Sequence, residues 1–161
     1  LWFKQSCFEE SARVPLIISV PDSKKAGQTC RRTVELVDLY PTLAEITGLT
    51  APPDLEGNSL VRLLNNPKAG WKHPAYTQVQ RGAVPGHSVR TEKWRYTEWG
   101  FGEEGSELYD EIADPHELKN LAGDPSYAGT VRKMKALLKK VHPNPVTGGK
   151  AVADTRVRFC N

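Results

Sequence analysis

Long apolar runs are missing from this chain. No stretch of its 161 residues approaches the roughly 20 apolar residues that a helix needs to cross a bilayer. The net charge is only +3, and the basic residues are interspersed with acidic ones. The sequence therefore predicts neither a membrane nor a nucleic acid as a partner. With 39% hydrophobic and 25% charged residues, the composition is that of a globular domain with a buried core.

Cysteine is scarce, and its spacing supports no metal site. Cys7, Cys30 and Cys160 are odd in number, so they cannot all pair within the chain, and which of them pair is left open. No C-x-x-C occurs, and the four histidines have no metal-ligand spacing. The H-E-x-x-H, G-x-S-x-G and P-loop motifs are also absent. The residues alone therefore predict no self-contained active site.

The first half of the chain has the pattern of an α/β protein. Val14–Val20 is a short, branched apolar run and is predicted to be a strand buried on both faces. Val34–Val37 is predicted to be a second short strand. A helix is expected to start at Asp38 as its N-cap and to stop at Gly48. Leu60–Leu64 is predicted to form one helical turn. The buried stripe of the longer helix is predicted to be Leu39, Leu43 and Ile46.

The second half has the pattern of a small antiparallel sheet followed by a helix. Trp94, Tyr96 and Trp99 are expected to share one strand face and to be core residues. Ser126–Val141 is predicted to be an amphipathic helix with a solvated lysine-rich face. Four segments rich in aromatic or branched residues are predicted as strands: Ala75–Gln80, His87–Thr91, Trp94–Trp99 and Glu107–Asp110.

Four motifs, in order along the chain, resemble the type I, formylglycine-dependent sulfatases. Residues 2–18, WFKQSCFEESARVPLII, resemble the stretch that follows the Asp-His/Asn metal site in that family. Residues 34–48 resemble its helix VDLYPTLxxxxG, residues 55–60 its turn L-x-G-x-S-L, and residues 108–121 its ending ELYDxxxDPxExxNL. Residues 88–99, SVRTEKWRYTEW, are similar to the iduronate-2-sulfatase-like branch.

This resemblance implies a fold class and a domain division. The expected fold is α/β and alkaline-phosphatase-like, and the chain would be the C-terminal portion of that fold. Residues 1–70 would then be the end of the catalytic domain, with the last part of its large mixed sheet. Residues 71–145 would be a small antiparallel sheet with a C-terminal helix, and residues 146–161 a tail.

The resemblance also implies a chemistry whose main groups lie outside the chain. The family hydrolyses sulfate esters with a formylglycine, made from Cys or Ser in a C/S-x-P-S/A-R motif, and with a calcium ion bound by Asp and Asn/His. This chain has no such motif, and it lacks the Asp-Asp and Asp-His/Asn metal ligands. The chain is therefore expected to be inactive by itself, with no metal ligands of its own.

Lys4 is the one catalytic residue that the resemblance carries over. In the family this lysine contacts the sulfate, where a fixed ammonium group stabilises the negative oxygens. His87, Arg90 and Trp99 lie in the branch-specific segment and are candidates, with Lys4, for substrate binding. A guanidinium at Arg90 would suit a uronate carboxylate or a second sulfate, and a bracing role for Arg90 is the alternative.

The expected partners are a sulfated carbohydrate of the glycosaminoglycan type and the N-terminal part of the same sulfatase. The family implies a periplasmic, secreted or lysosomal location. Two alternatives stay open. The chain could be a non-catalytic binding module derived from a sulfatase, or part of a phosphatase or phosphonate hydrolase of the same superfamily.

Overall fold

The computed structural model describes residues 5–21, 23 and 25–141. These ranges hold one four-stranded sheet, with four α-helices and three short 3₁₀ turns. The helices are α1 Glu9–Ala12, α2 Leu39–Thr47, α3 Val61–Asn65 and α4 Ala128–Val141. The strands are β1 Ala75–Arg81, β2 Val84–Arg90, β3 Trp94–Trp99 and β4 Ser106–Asp110. The 3₁₀ turns are Leu36–Asp38, Gly100–Gly102 and Pro125–Tyr127.

The sheet is a meander in which every strand pairs antiparallel with its neighbour in the sequence, in the order β1-β2-β3-β4. This confirms the predicted small antiparallel sheet. Directly opposed residues of antiparallel strands share a face. Tyr96 opposes Val89 and Leu108, and these three form the face that packs against α4. We call this the helix face and the other side the second face.

Helix α4 covers the helix face and confirms the predicted amphipathic helix. Met134 and Leu138 of α4 pack on Val89, Tyr96 and Leu108, all nearly inaccessible to solvent. Each side chain of this size contributes roughly 1.5–3 kcal/mol when fully buried. This contact is therefore the main apolar core of residues 75–141.

The prediction of a doubly buried strand at residues 14–20 is wrong for the described part of the chain. The segment is in no strand, and Ile17 is 91% exposed. Leu16 and Ile18 instead pack against a second small core around Leu60 and Leu63. A buried strand needs a hydrogen-bonded neighbouring strand on both sides. Among the described residues, no strand pairs with residues 14–20.

Both ends of α2 agree with the prediction, since Asp38 is its N-cap residue and Gly48 its C-cap residue, but the Asp38 side chain does not cap the helix. Residues 34–37 form no strand, because Asp38 accepts a hydrogen bond from the backbone N–H of Glu35 at 2.9 Å and closes a capping box around a 3₁₀ turn. The other oxygen of Asp38 accepts from the N–H of Asn58 at 2.7 Å. Asp38 is thus 1% exposed and makes no side-chain cap to α2. Gly48 ends α2 with φ +71°, as predicted.

The buried stripe of α2 also differs from the expectation. Leu43 is 56% exposed, and Leu39 and Ile46 are half-buried. The residues that α2 buries are Thr42 and Ala44. Thr42 is buried because its hydroxyl accepts a hydrogen bond from the N–H of Leu60 at 2.8 Å and thereby joins α2 to the start of α3.

Trp99 does not share a face with Trp94 and Tyr96. Side chains alternate along a strand, so positions 94 and 96 point one way and position 99 the other. Trp99 opposes Gly86 on the second face, and a Cβ added to Gly86 would lie 2.5 Å from the indole ring. The glycine therefore makes room for the tryptophan.

Candidate functional site

Five charged residues meet on the second face of the sheet, at the end nearest the β2–β3 hairpin. Two are arginines on neighbouring strands, and three are glutamates from α1 and from the segment after β4. We call them the ion cluster: Glu9, Arg90, Arg95, Glu111 and Glu117.

Arg95 lies at the centre of the ion cluster. It is 2% exposed, and its Nε donates to Oε1 of Glu117 at 2.5 Å. Its second terminal nitrogen donates to a carboxylate oxygen of Glu9. The planar guanidinium thus joins two carboxylates from distant parts of the chain, which a lysine ammonium could not do in one fixed plane.

Glu117 serves both the sheet and α1. While one oxygen accepts from Arg95, the other accepts from the backbone N–H of Glu9 at 2.7 Å. Glu117 has φ +54°, an uncommon conformation for a residue with a Cβ, and its side chain is 2% exposed. The backbone therefore adopts an unfavourable geometry that aims a buried carboxylate at both partners.

Glu9 and Arg90 complete the link between α1 and the sheet. The Glu9 carboxylate accepts from Arg90 Nε at 3.3 Å and from Arg95. Burial alone would raise the pKa of Glu9, but the hydrogen bond and positive charge of Arg90, together with Arg95, hold it below its ordinary value. Arg90 also donates to the carbonyl oxygen of Thr91. Glu9 is therefore ionised and fixed on two arginines.

Glu111 differs from the other two carboxylates of the ion cluster in how it meets the arginines. Its Oε1 lies 3.3 Å from Arg95 Nε and 3.4 Å from Arg90 Nε, but it receives no aligned hydrogen bond. Burial and a hydrogen bond to Glu117 outweigh the two arginines and raise the pKa of Glu111 to about 8. Glu111 therefore keeps its proton to a higher pH than an ordinary glutamate, whereas Glu9 carries a negative charge that faces the two guanidinium groups.

The segment before α1 packs on the same face. Cys7 is 2% exposed, and burial raises the pKa of its thiol to about 12. The thiol is therefore protonated and unreactive at neutral pH. The ring of Phe8 lies 5.9 Å from that of Tyr109 on β4. Cys7 and Cys30 form no disulfide with each other, and Cys160 lies outside the described residues.

The structure separates the residues predicted to bind substrate. His87 opposes Glu98 on the helix face and is buried, with its ring 4.8 Å from that of Phe101. Arg90 and Trp99 lie on the second face, Arg90 within the ion cluster and Trp99 half-buried, with a hydrogen bond to Glu107. Lys4, the predicted sulfate contact, lies outside the described residues.

The described residues do not fit a calcium site. Among them, no group of three or more His, Cys, Asp or Glu side chains could hold a metal ion. The three glutamates of the ion cluster already face two guanidinium groups. Within the same ranges, no helix is long and apolar enough to cross a bilayer.

Comparison with known proteins decides the family. Residues 1–144 match the family described as "N-sulphoglucosamine sulphohydrolase, C-terminal". The chain belongs to this family. It is also 34% identical over 140 residues to the delta 4,5-hexuronate-2-O-sulfatase of Bacteroides thetaiotaomicron, which covers 83% of this chain and 29% of the relative. The predicted sulfatase resemblance is confirmed, while the narrower iduronate-2-sulfatase-like branch stays a prediction.

Solved structures agree with this assignment and with the alkaline-phosphatase-like fold. The structure of BT4656 in complex with its substrate D-glucosamine-2-N,6-O-disulfate is 29% identical, with a TM-score of 0.69, and covers 83% of this chain and 28% of that one. The phosphonate monoester hydrolase of Agrobacterium radiobacter is 26% identical, with a TM-score of 0.51, and covers 64% of this chain and 23% of that one. This sulfatase-family chain thus spans less than a third of the length of each of these relatives.

Sequence reasoning missed four members of the ion cluster, Glu9, Arg95, Glu111 and Glu117. Charged residues are usually on the surface, and adjacent or scattered carboxylates give no periodic signal. The sequence held one indication that Arg95 is buried. It lies between the aromatic residues Trp94 and Tyr96, in a strand that is covered on both faces. Glu117 lies in the motif DPxExxNL, but the motif does not reveal its partners.

Proposed function

We propose that the protein to which this chain belongs hydrolyses sulfate esters of a sulfated carbohydrate, of the glycosaminoglycan type. The family match over residues 1–144 carries this proposal. A relative named as a hexuronate-2-O-sulfatase and a neighbour solved with a glucosamine disulfate support the carbohydrate. On this proposal the chain supplies part of the site, and the N-terminal part of the same protein supplies the nucleophile and the metal ligands.

Lys4 is the residue of this chain that we assign to the sulfate. Its ammonium group would stabilise the negative charge on the sulfuryl oxygens during transfer. Trp99 is assigned to the sugar, because its indole is half-buried rather than enclosed. The ion pairs of Arg90 favour its bracing role over a contact with a uronate, and the burial of His87 favours a supporting role behind the sheet.

The test compares the 161-residue chain with the longer protein that carries it, on a chromogenic aryl sulfate and on sulfated disaccharides. We expect no turnover by the chain alone and turnover by the longer protein. Lys4→Ala in the longer protein should lower kcat/KM by a factor of about 100 or more, as for other groups that stabilise transition-state charge. Turnover by the purified chain, or full activity of Lys4→Ala, would contradict the proposal.

A second candidate is a phosphonate or phosphate ester hydrolase, favoured by the structural likeness to the Agrobacterium enzyme. The same assay with an aryl phosphonate ester and an aryl phosphate separates the two activities, because each enzyme should prefer its own ester. A non-catalytic binding module would instead show no turnover in the longer protein, with retention of sulfated oligosaccharide.

A further inference from the structure

We propose that a surface pocket beside the β2–β3 hairpin binds a sugar ring that carries a sulfate or a carboxylate group. The inference rests on the proposed function and deepens it, because it names the kind of substrate unit that these residues would hold. Three short segments line the pocket: residue 33, residues 71–74 and residues 91–93. We call it the hairpin pocket. Its volume is about 400 Å³, within the range of roughly 300–1,000 Å³ that is usual for small-molecule sites.

Two aromatic rings belong to the lining of the hairpin pocket. The ring centroids of Trp71 and His73 are 4.7 Å apart, with their planes inclined at 60°. Trp71 packs against the small core around Leu60 and Leu63, which holds the indole in place and leaves it half-buried. The faces of a pyranose ring carry apolar C–H groups, which pack well on an indole. The rings therefore suit a sugar better than they suit a bare inorganic anion.

The indole of Trp71 also brings a hydrogen-bond donor. Its Nε1 atom is buried and has no acceptor among the described residues. Buried donors are nearly always paired in native proteins, and an unpaired one is costly. Side chains at binding sites commonly turn when a ligand arrives, and an oxygen atom of a bound sugar would then supply the acceptor. Binding would thus satisfy a donor that the unbound chain leaves unpaired.

The charges around the hairpin pocket favour an anionic ligand. Lys72 is exposed and forms no ion pair with a carboxylate of the described residues, and Lys93 lies 3.4 Å from Asp110. The carboxylate of Glu92 also lines the pocket, but both of its oxygens accept from Arg32, at 2.7 and 2.9 Å. Its negative charge is therefore already matched. Lys72 is available to pair with a sulfate or carboxylate group of the ligand.

Arg32 holds the lining segments together before any ligand binds. Its Nε donates to the carbonyl oxygen of Ala69 at 2.9 Å, and a terminal nitrogen donates to that of Lys68 at 3.0 Å. Its other terminal nitrogen bonds to Glu92 at the tip of the hairpin. One guanidinium thus joins the chain that leads to Trp71 with the hairpin. A pocket fixed in this way loses less free energy to ordering when it binds a ligand.

Calorimetric titration of the 161-residue chain tests the proposal with four probes. D-Glucosamine-2-N,6-O-disulfate carries the sulfate and glucuronic acid carries the carboxylate, and the tighter of the two identifies the preferred anion. We expect saturable binding of at least one, with a Kd on the order of 1 mM for so small a ligand. N-Acetylglucosamine, which is uncharged, should bind at least about tenfold more weakly. Inorganic sulfate should also bind more weakly, because it has no ring to pack on Trp71.

Two variants show whether the hairpin pocket is the binding site. Lys72→Ala should raise the Kd of the preferred anionic sugar roughly five- to tenfold, because it removes a charge-assisted contact. Trp71→Phe keeps a ring and removes the indole N–H, and it should raise the Kd about threefold or more. Lys119→Ala is the matched control, an equally exposed lysine outside the pocket, and it should leave the Kd unchanged. Lys72 is exposed, so its variant should fold normally, which the melting temperature checks.

Three results would overturn the proposal. These are no saturable binding of either anionic sugar, an unchanged Kd in Lys72→Ala, and an equal effect of Lys119→Ala. Inorganic sulfate bound as tightly as the sugars would also overturn it, since the aromatic rings would then contribute nothing. The inference is judged by binding to the chain and the proposed function by turnover in the longer protein, so the failure of one is distinguishable from the failure of the other.

Discussion

Glu111 is the residue where the charge balance of the ion cluster depends on a proton. The charged and titratable groups facing it are Arg90 from β2, Arg95 from β3, Glu9 from α1 and Glu117 from its own segment. Burial disfavours the charged form of Glu111 and, with the hydrogen bond to Glu117, outweighs the attraction of the two arginines. Glu111 therefore holds its proton to about pH 8, where an ordinary glutamate has lost it.

The first prediction concerns stability against pH. Between about pH 4.5 and pH 8 the native state keeps the proton of Glu111 and the unfolded state has lost it, so the free energy of unfolding falls as pH rises. Glu111→Gln mimics the protonated form, so its stability relative to the wild type should increase from pH 5 to pH 9 in urea unfolding. Parallel curves for the two proteins would contradict this.

Glu9→Gln should show the opposite dependence. The pKa of Glu9 is lowered in the folded state, so its contribution is present above the unfolded value near 4.5 and is lost as pH falls. The variant should be less stable than the wild type at pH 7, and the difference should shrink towards pH 3. The same unfolding series measures both variants.

A further prediction follows from the contact between Gly86 and Trp99. Gly86→Ala would place a methyl group 2.5 Å from the indole ring, so we expect a loss of about 1–3 kcal/mol in the free energy of unfolding. In a Trp99→Ala background the same substitution should cost much less, because the ring is gone. An equal loss of unfolding free energy for Gly86→Ala in both backgrounds, measured by chemical denaturation, would show that the indole ring is not the cause of the loss.

At the scale of elements, α4 and the meander depend on one another. Leu138→Ala removes a 2% exposed side chain from the helix face, so it should cost about 2–5 kcal/mol of unfolding free energy. Lys139→Ala, one position along on the exposed side of α4, should change it by less than about 0.5 kcal/mol. Thermal unfolding of both variants checks the prediction, and equal losses would argue against this packing.

Elements held by local contacts were predictable, and elements held by distant ones were not. The strands between residues 75 and 110 follow from alternation and turn residues, because each pairs with its sequence neighbour. Residues 14–20 have the composition of a buried strand, but pairing is not encoded in the segment itself. Arg95 and Glu117 were missed because their partnership joins residues far apart, and no periodicity records it.

The predicted site residues were also placed correctly in some cases and wrongly in others. Arg90 was identified with a bracing alternative, and its ion pairs with Glu9 and Glu111 favour that alternative. Trp99 was placed on the wrong face, because side chains alternate along a strand and position 99 is an odd number of residues from Trp94 and Tyr96. Lys4 came from resemblance alone, and its role stays a prediction.

For the whole molecule, exposed apolar side chains are concentrated near the start of the described chain. Of the ten large apolar residues that are exposed among the described residues, seven lie between residues 14 and 49. We propose that the N-terminal part of the same protein covers them. These seven are Val14, Ile17, Leu36, Val37, Tyr40, Leu43 and Leu49.

The 161-residue chain should therefore self-associate in solution. The double variant Ile17→Ser/Leu43→Ser should shift sedimentation velocity profiles towards the monomer. Leu118→Ser, at a position 84% exposed but outside this region, is the matched control and should leave them unchanged. A monomeric wild-type chain at high concentration, or an equal effect of the control, would contradict the prediction.

The hydrogen bond between Glu9 and Glu117 also has a consequence for synthesis. Its two residues are 108 positions apart, whereas the meander joins neighbours. A ribosome adds roughly 5–20 residues per second, so about 5 to 20 seconds pass between the two glutamates. During that time the segment around Cys7 has left the tunnel without its sheet. The α1 segment, among the first described residues to be made, must be among the last to reach its place.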